Sequence, residues 1–175
     1  MLKLIGAVMI FGSCAALGLS ARQNLRRRVT AADAMLLALS LIGSEISCRR
    51  TPLPEIIGEL AENQNPTIRL VFSGLRRRLR EQNGLSLSYL WRANLRDNRA
   101  EAGLGAVECD ILCEAANYLG RYDAAEQVAG LEQVGRRLSA ARAAADEELR
   151  GKGNLYRTCG IALGILVILV LTYGR

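Results

Sequence analysis

The sequence of 175 residues holds no histidine, two lysines against 21 arginines, one tryptophan, and three prolines confined to positions 52, 54 and 66. Without histidine there is no imidazole to serve as a base or a metal ligand. No glycine-rich loop ends in Lys and Ser or Thr, and Gly103-x-Gly105 lacks the third glycine and the preceding strand of a dinucleotide site. No segment alternates strictly between apolar and polar residues, clusters β-branched residues or sets a hairpin turn between two such runs, which argues against a sheet. Glu108, Asp110 and Glu114 do cluster, but helical spacing is expected to spread them over different sides or into solvent. The sequence therefore carries no expected catalytic, cofactor-binding or metal-binding residue.

What the chain does have is an apolar segment near each end, Leu4–Leu19 and Thr158–Tyr173, around a charged middle of about 136 residues. With Leu155 and Tyr156 the second segment is interrupted only by Arg157; as a helix it extends about 28 Å, against a hydrocarbon core of about 30 Å. Tyr156 and Tyr173 sit where interfacial aromatics belong. The first segment has the basic start of a signal peptide, and Ser13-Cys14 resembles a lipoprotein cleavage site. Its charge placement is reversed, however: Lys3 alone precedes it, while Arg22, Arg26, Arg27 and Arg28 follow, so an uncleaved anchor is expected. These arginines, with Arg150, Lys152 and Arg157 before the second segment, direct the middle to the cytoplasm by the positive-inside rule. The expected organisation is all-α: a transmembrane helix over 1–21, a cytoplasmic helical bundle over 22–154, and a second transmembrane helix with a short tail over 155–175.

The net charge is +6, and setting Lys3 and Arg175 aside leaves 21 basic against 17 acidic groups. That balance suits a domain beside anionic lipid, and no nucleic-acid partner is expected. The five cysteines are an odd set, expected as free thiols in a reducing compartment. Cys109 and Cys113 fall on one helical face and read as small packing residues. A rival reading makes them the redox or metal sensor of a small membrane regulator.

Helical spacing organises the middle. Thr30 with Asp33 resembles a capping pair, followed by an apolar face of Leu36, Leu37, Leu39, Ile42 and Ile46. Thr51-Pro52 starts a short helix carrying Ile56, Ile57 and Leu60 on to Asn63. Another begins near Pro66 with Ile68, Val71, Phe72, Leu75 and Leu79, and Asn83-Gly84 ends it. Trp91 shares a face with Leu87, Leu90 and Leu95. A helix over Leu104–Leu119 is expected to turn Val107, Ile111 and Leu112 inward, with Gly120 as its C-cap. The last helix starts at Asp123 and runs through Leu131, Val134, Leu138 and Leu149 toward the second span, about 75 Å if unbroken. Gly151 and Gly153 mark a hinge, since each costs about 1 kcal/mol relative to Ala in a helix.

Two features point to interaction. Arg76, Arg77, Arg78 and Arg80 place guanidinium forks on the third helix, suited to carboxylate-rich protein surfaces or lipid phosphates. In the apolar segments, Gly12-x-x-x-Ala16 and Gly160-x-x-x-Gly164 are spaced for close packing of membrane helices. Two spans cannot enclose a conduit alone, so a homo-oligomer or further proteins would be needed for one.

The opening Met1-Leu2-Lys3-Leu4-Ile5-Gly6-Ala7, then Ser44-Glu45-Ile46, Thr51-Pro52-Leu53-Pro54-Glu55, the Trp91 helix, Leu119-Gly120 with Asp123 and Gln127, and Lys152 to Tyr156-Arg157 resemble, in order, the stage III sporulation protein AB family. The resemblance implies a non-enzymatic component of the channel assembly joining mother cell and forespore in endospore formation. It would sit in the mother-cell-derived membrane around the forespore, with its soluble domain in the mother-cell cytoplasm. The family's helical domain is similar to the cytoplasmic domains of type II secretion and type IV pilus inner-membrane platform proteins. The implied partners are the secretion-type AA ATPase and the other members of the AA to AH complex, beside the lipid bilayer. The family supplies no catalytic residues.

Overall fold

A computed structural model describes the backbone of residues 2–81, 84–120 and 123–173, and the side chains of residues 20, 22–81, 84–120 and 123–151. Among the described residues every regular element is helical: α1 (Leu2–Ser44), α2 (Leu53–Leu60), α3 (Pro66–Glu81), α4 (Leu87–Asn98), α5 (Ala106–Ala115) and α6 (Ala124–Tyr173). The chain divides into two compact units, one made of Arg27–Ala144 and the other of Met1–Arg26 with Ala145–Arg175.

The boundaries of the helices follow from local chemistry. α1 passes into a π-helical turn, Glu45–Arg49, which ends where Arg50 turns left-handed at φ 53°. Thr51 cannot readily continue a helix because Pro52 follows it, and its hydroxyl donates to the Glu45 carboxylate at 2.9 Å. Asn65 opens α3 by accepting from the N–H groups of Thr67 and Ile68. Ser86 does the same for Tyr89 in α4, and Asp123 for Glu126 in α6. Each such cap stabilises a helix start by about 1 kcal/mol. Between α3 and α4 the chain reverses near Gly84, whose φ of 108° favours glycine.

The core of the Arg27–Ala144 unit gathers every helix. Met35, Leu39 and Ile42 of α1 join Ile56 and Leu60 of α2, Val71 and Phe72 of α3, and Leu112 of α5, all buried. Leu131, Val134 and Leu138 close it from α6. Trp91 of α4 lies at the centre, edge-on to Phe72 at 5.6 Å, with its indole N–H donating to the Leu112 carbonyl at 2.7 Å. Burying each large apolar side chain contributes about 1.5–3 kcal/mol, so this cluster is the main stabilising element. Asn94, fully buried, is satisfied by donating to the Val71 carbonyl at 2.8 Å. Asp33 of α1 takes a two-pronged contact from Arg142 of α6 at 2.9 and 3.2 Å.

Several expectations change. α1 runs straight through Thr30 and Asp33, so these do not cap a helix; nothing around them breaks helical spacing, and the Asp33 carboxylate is committed to Arg142. Leu37 is 51% exposed, because it shares its helical strip with Ser40 and Leu41. The fifth helix is shorter than Leu104–Leu119, and Val107 is 55% exposed, being on the strip of Asp110 and Glu114. Glu108 does not face solvent but is fully buried.

One segment among the described residues, Arg22–Arg49, is long and apolar enough to cross a membrane by length and composition. Its Ala31, Met35, Ala38 and Ile42 are all buried in the core cluster, so the apolar composition of this stretch is accounted for by packing. The expected spans, Leu4–Leu19 and Thr158–Tyr173, and their small-residue pairs Gly12, Ala16, Gly160 and Gly164 lie outside the fully described residues.

In the other unit, Arg150 pairs with Asp146 one turn away at 2.9 Å. The α6 backbone is helical through Gly151, around which a Cβ would meet nothing within 4 Å. Gly153 lies outside the fully described residues.

Candidate functional site

Four of the five arginines of α3, Arg76, Arg77, Arg78 and Arg80, separate into two groups according to helical phase. Arg78 turns toward α4, where it meets Asp97 at 2.5 Å. Arg76, Arg77 and Arg80 gather on the other side, with Ser73 and Glu81, around a depression of about 320 Å³. Arg76 contacts Glu62 at 3.1 Å. Arg77 and Arg80 are exposed and have no hydrogen bond or ion pair among the described residues. Like charges one turn apart, as Arg76 and Arg80 are, cost a helix about 0.2–0.5 kcal/mol. Folding therefore does not explain why this strip is so strongly cationic.

An apolar groove adjoins this face. Leu53, Pro54 and Ile57 of α2, Leu79 of α3, Leu87 of α4, and Leu119 line a space of about 360 Å³. Pro54, Ile57 and Leu79 also line the next depression, of about 460 Å³, which Gly58, Arg76 and Arg80 complete. Shared lining residues thus make one continuous groove, apolar at the Leu87 end and cationic at the Arg80 end. Gly58 leaves it open: a Cβ there would meet nothing within 4 Å. Leu85 and Tyr89, 49% and 58% exposed, flank the stretch of chain that forms the groove's wall.

A second polar feature is internal. Arg28 of α1 donates through Nη2 to Oε1 of Glu108 at 2.8 Å, and Glu108 is completely buried. The remaining buried atoms, Arg28 Nε and Glu108 Oε2, both border Gly105 and have no hydrogen-bond partner among the described residues. A Cβ at Gly105 would collide with both groups, so the glycine permits the pair. Gly103, at φ 76°, makes the turn that brings Gly105 there. The sequence signal was present: Glu108 falls in phase with Ile111, Leu112 and Ala115, a buried strip.

Cys109 and Cys113 are both buried. Burial, reinforced by the neighbouring Cys113, pushes the Cys109 thiol up to about 11, and burial raises Cys113 too. Cys48 is exposed.

Fold and surface together define a body whose described elements are all helical, with an open, cation-edged groove on its surface. The family model for stage III sporulation protein AB matches residues 3–172, and the chain belongs to that family of sporulation proteins. A solved structure of stage III sporulation protein AB shares the fold, with a TM-score of 0.63 at 21% identity, covering 71% of this chain and 97% of that one. No curated protein matches the sequence.

Proposed function

We propose that this chain is a non-enzymatic adaptor of the sporulation channel assembly, docking the secretion-type AA ATPase through its helical body while residues 4–19 and 158–173 anchor it in the mother-cell-derived membrane around the forespore. The observation that carries this reading is the open groove between α2, α3 and α4, with Arg80 at its edge and Arg77 in the adjoining depression, both without an ion-pair partner among the described residues. Exposed guanidinium groups of this kind can meet complementary carboxylates on a partner and steer its approach. Family membership supports the sporulation context, and the arginines that follow residue 19 support a body on the cytoplasmic side. α6 would transmit position to the second span, with Gly151 and Gly153 as its compliant point.

Sensing by Cys109 and Cys113 fits less well. A buried thiol with its pKa near 11 is protonated at neutral pH and attacks slowly. Replacing both with Ala should leave an adaptor working.

The test is co-purification of the full-length chain, in detergent, with the AA ATPase. Co-elution at a fixed ratio is expected. If both proteins are folded and do not associate, the adaptor reading is wrong.

A further inference from the structure

The groove between α2, α3 and α4 has one apolar end and one cationic end, and this polarity specifies what fits it. We propose that it takes an amphipathic helix from a protein partner, with apolar residues seated against Leu53, Ile57, Leu87 and Leu119 and carboxylates one or two turns along meeting Arg77 and Arg80. The inference rests on the docking reading above and adds the chemistry of the docked element.

Three observations converge on it. First, Arg77 and Arg80 have no partner among the described residues, while Glu62 is engaged by Arg76 and the depression they line holds one carboxylate, Glu81. The excess of guanidinium calls for carboxylate, which Arg binds through paired N–H donors. Second, the walls are mostly helical, with Leu119 contributed by the turn before α6, and no sheet edge is offered to an extended peptide among the described residues. Recognition must then come from side chains, the arrangement in which a helix lays anchors at i and i+4 into a groove. Third, the apolar residues are recessed in a concave space of about 360 Å³ that extends into one of about 460 Å³. A recess receives projecting side chains, whereas a bilayer surface would engage protruding ones.

The probe is a synthetic helical peptide of about 18 residues, long enough to populate helix. It carries leucines at i and i+4 spacing with flanking glutamates; its twin has lysines in place of the glutamates. Binding is measured by fluorescence anisotropy on the full-length protein in detergent. The acidic peptide should bind at least about tenfold more tightly than the basic twin, with affinity falling as salt rises. Arg77→Glu with Arg80→Glu, which breaks no ion pair among the described residues, should reverse that preference. Gly58→Phe, filling the groove from a position with room for a side chain, should weaken the acidic peptide about tenfold at unchanged helicity.

Equal binding of the two peptides, or wild-type affinity in both variants, would overturn the proposal. So would anionic lipid vesicles whose binding depends on Arg77 and Arg80 while the peptide's does not. If the peptide binds but the AA ATPase does not, the adaptor assignment fails and the groove stands. If the ATPase binds equally well to wild type and to both variants, the groove fails and the adaptor stands.

Discussion

Single residues show most clearly where the sequence was readable. The apolar positions at spacings of three and four in α3 and α4, Ile68, Val71, Phe72, Leu75, Leu90, Trp91 and Leu95, are all buried. Val107 and Glu108 exchange the expected roles because a helix beginning near Leu104 has two candidate inward strips, and the strip of Glu108, whose carboxylate meets the distant Arg28, is the buried one. Arg28 itself looked like one more basic residue after an apolar run. The pair predicts an asymmetry. Arg28→Met strands a wholly buried carboxylate and should cost about 3–5 kcal/mol, whereas Glu108→Leu leaves an arginine that is 29% exposed and should cost less. Urea unfolding of both single variants and the double variant would measure it, with the double variant more stable than Arg28→Met alone. Cys109 gives a pH dependence: its folded-state pKa of about 11 exceeds the ordinary 9.0, so its contribution is intact below pH 9 and is lost as pH rises through 11. Stability should fall over that range, and less so in Cys109→Ala. At neutral pH Cys48 should react with a thiol reagent much faster than Cys109 or Cys113.

At the scale of elements, glycines decide how closely helices approach. A Cβ at Gly74 would strike the Asn94 side chain and one at Gly130 the Tyr118 ring, while Gly58 and Gly135 have open space. Gly74→Ala and Gly130→Ala should therefore each destabilise the fold by about 1–3 kcal/mol. Gly58→Ala and Gly135→Ala, inside helices and unobstructed, should stabilise it by about 0.5–1 kcal/mol, as read by thermal unfolding. Composition and spacing made the helices and the proline-marked start of α2 legible. The length of α1 was not, because Thr30 and Asp33 carry the chemistry of a helix start, and only the contact with Arg142 of α6 shows that Asp33 is engaged elsewhere. The same limit hid the groove, whose walls come from three helices and the residues before α6. The α3 arginines were visible in the sequence, but Arg78 proved to be tied to Asp97.

At the scale of the whole molecule, the proposed function joins a helical body to the membrane anchors expected of residues 4–19 and 158–173. Exposed Cys48 makes the expected orientation testable in a non-sporulating host that carries the chain in its plasma membrane: a membrane-impermeant maleimide added to intact cells should leave Cys48 unlabelled until the membrane is opened. The central claim is that the body acts by contact through the groove of α2, α3 and α4. Hydrogen–deuterium exchange on the full-length chain, with and without the AA ATPase, tests this most directly. The account predicts that added protection concentrates in residues 53–60, 76–81 and 84–90. Protection confined to other surfaces, or none at ATPase concentrations that saturate co-purification, would contradict it.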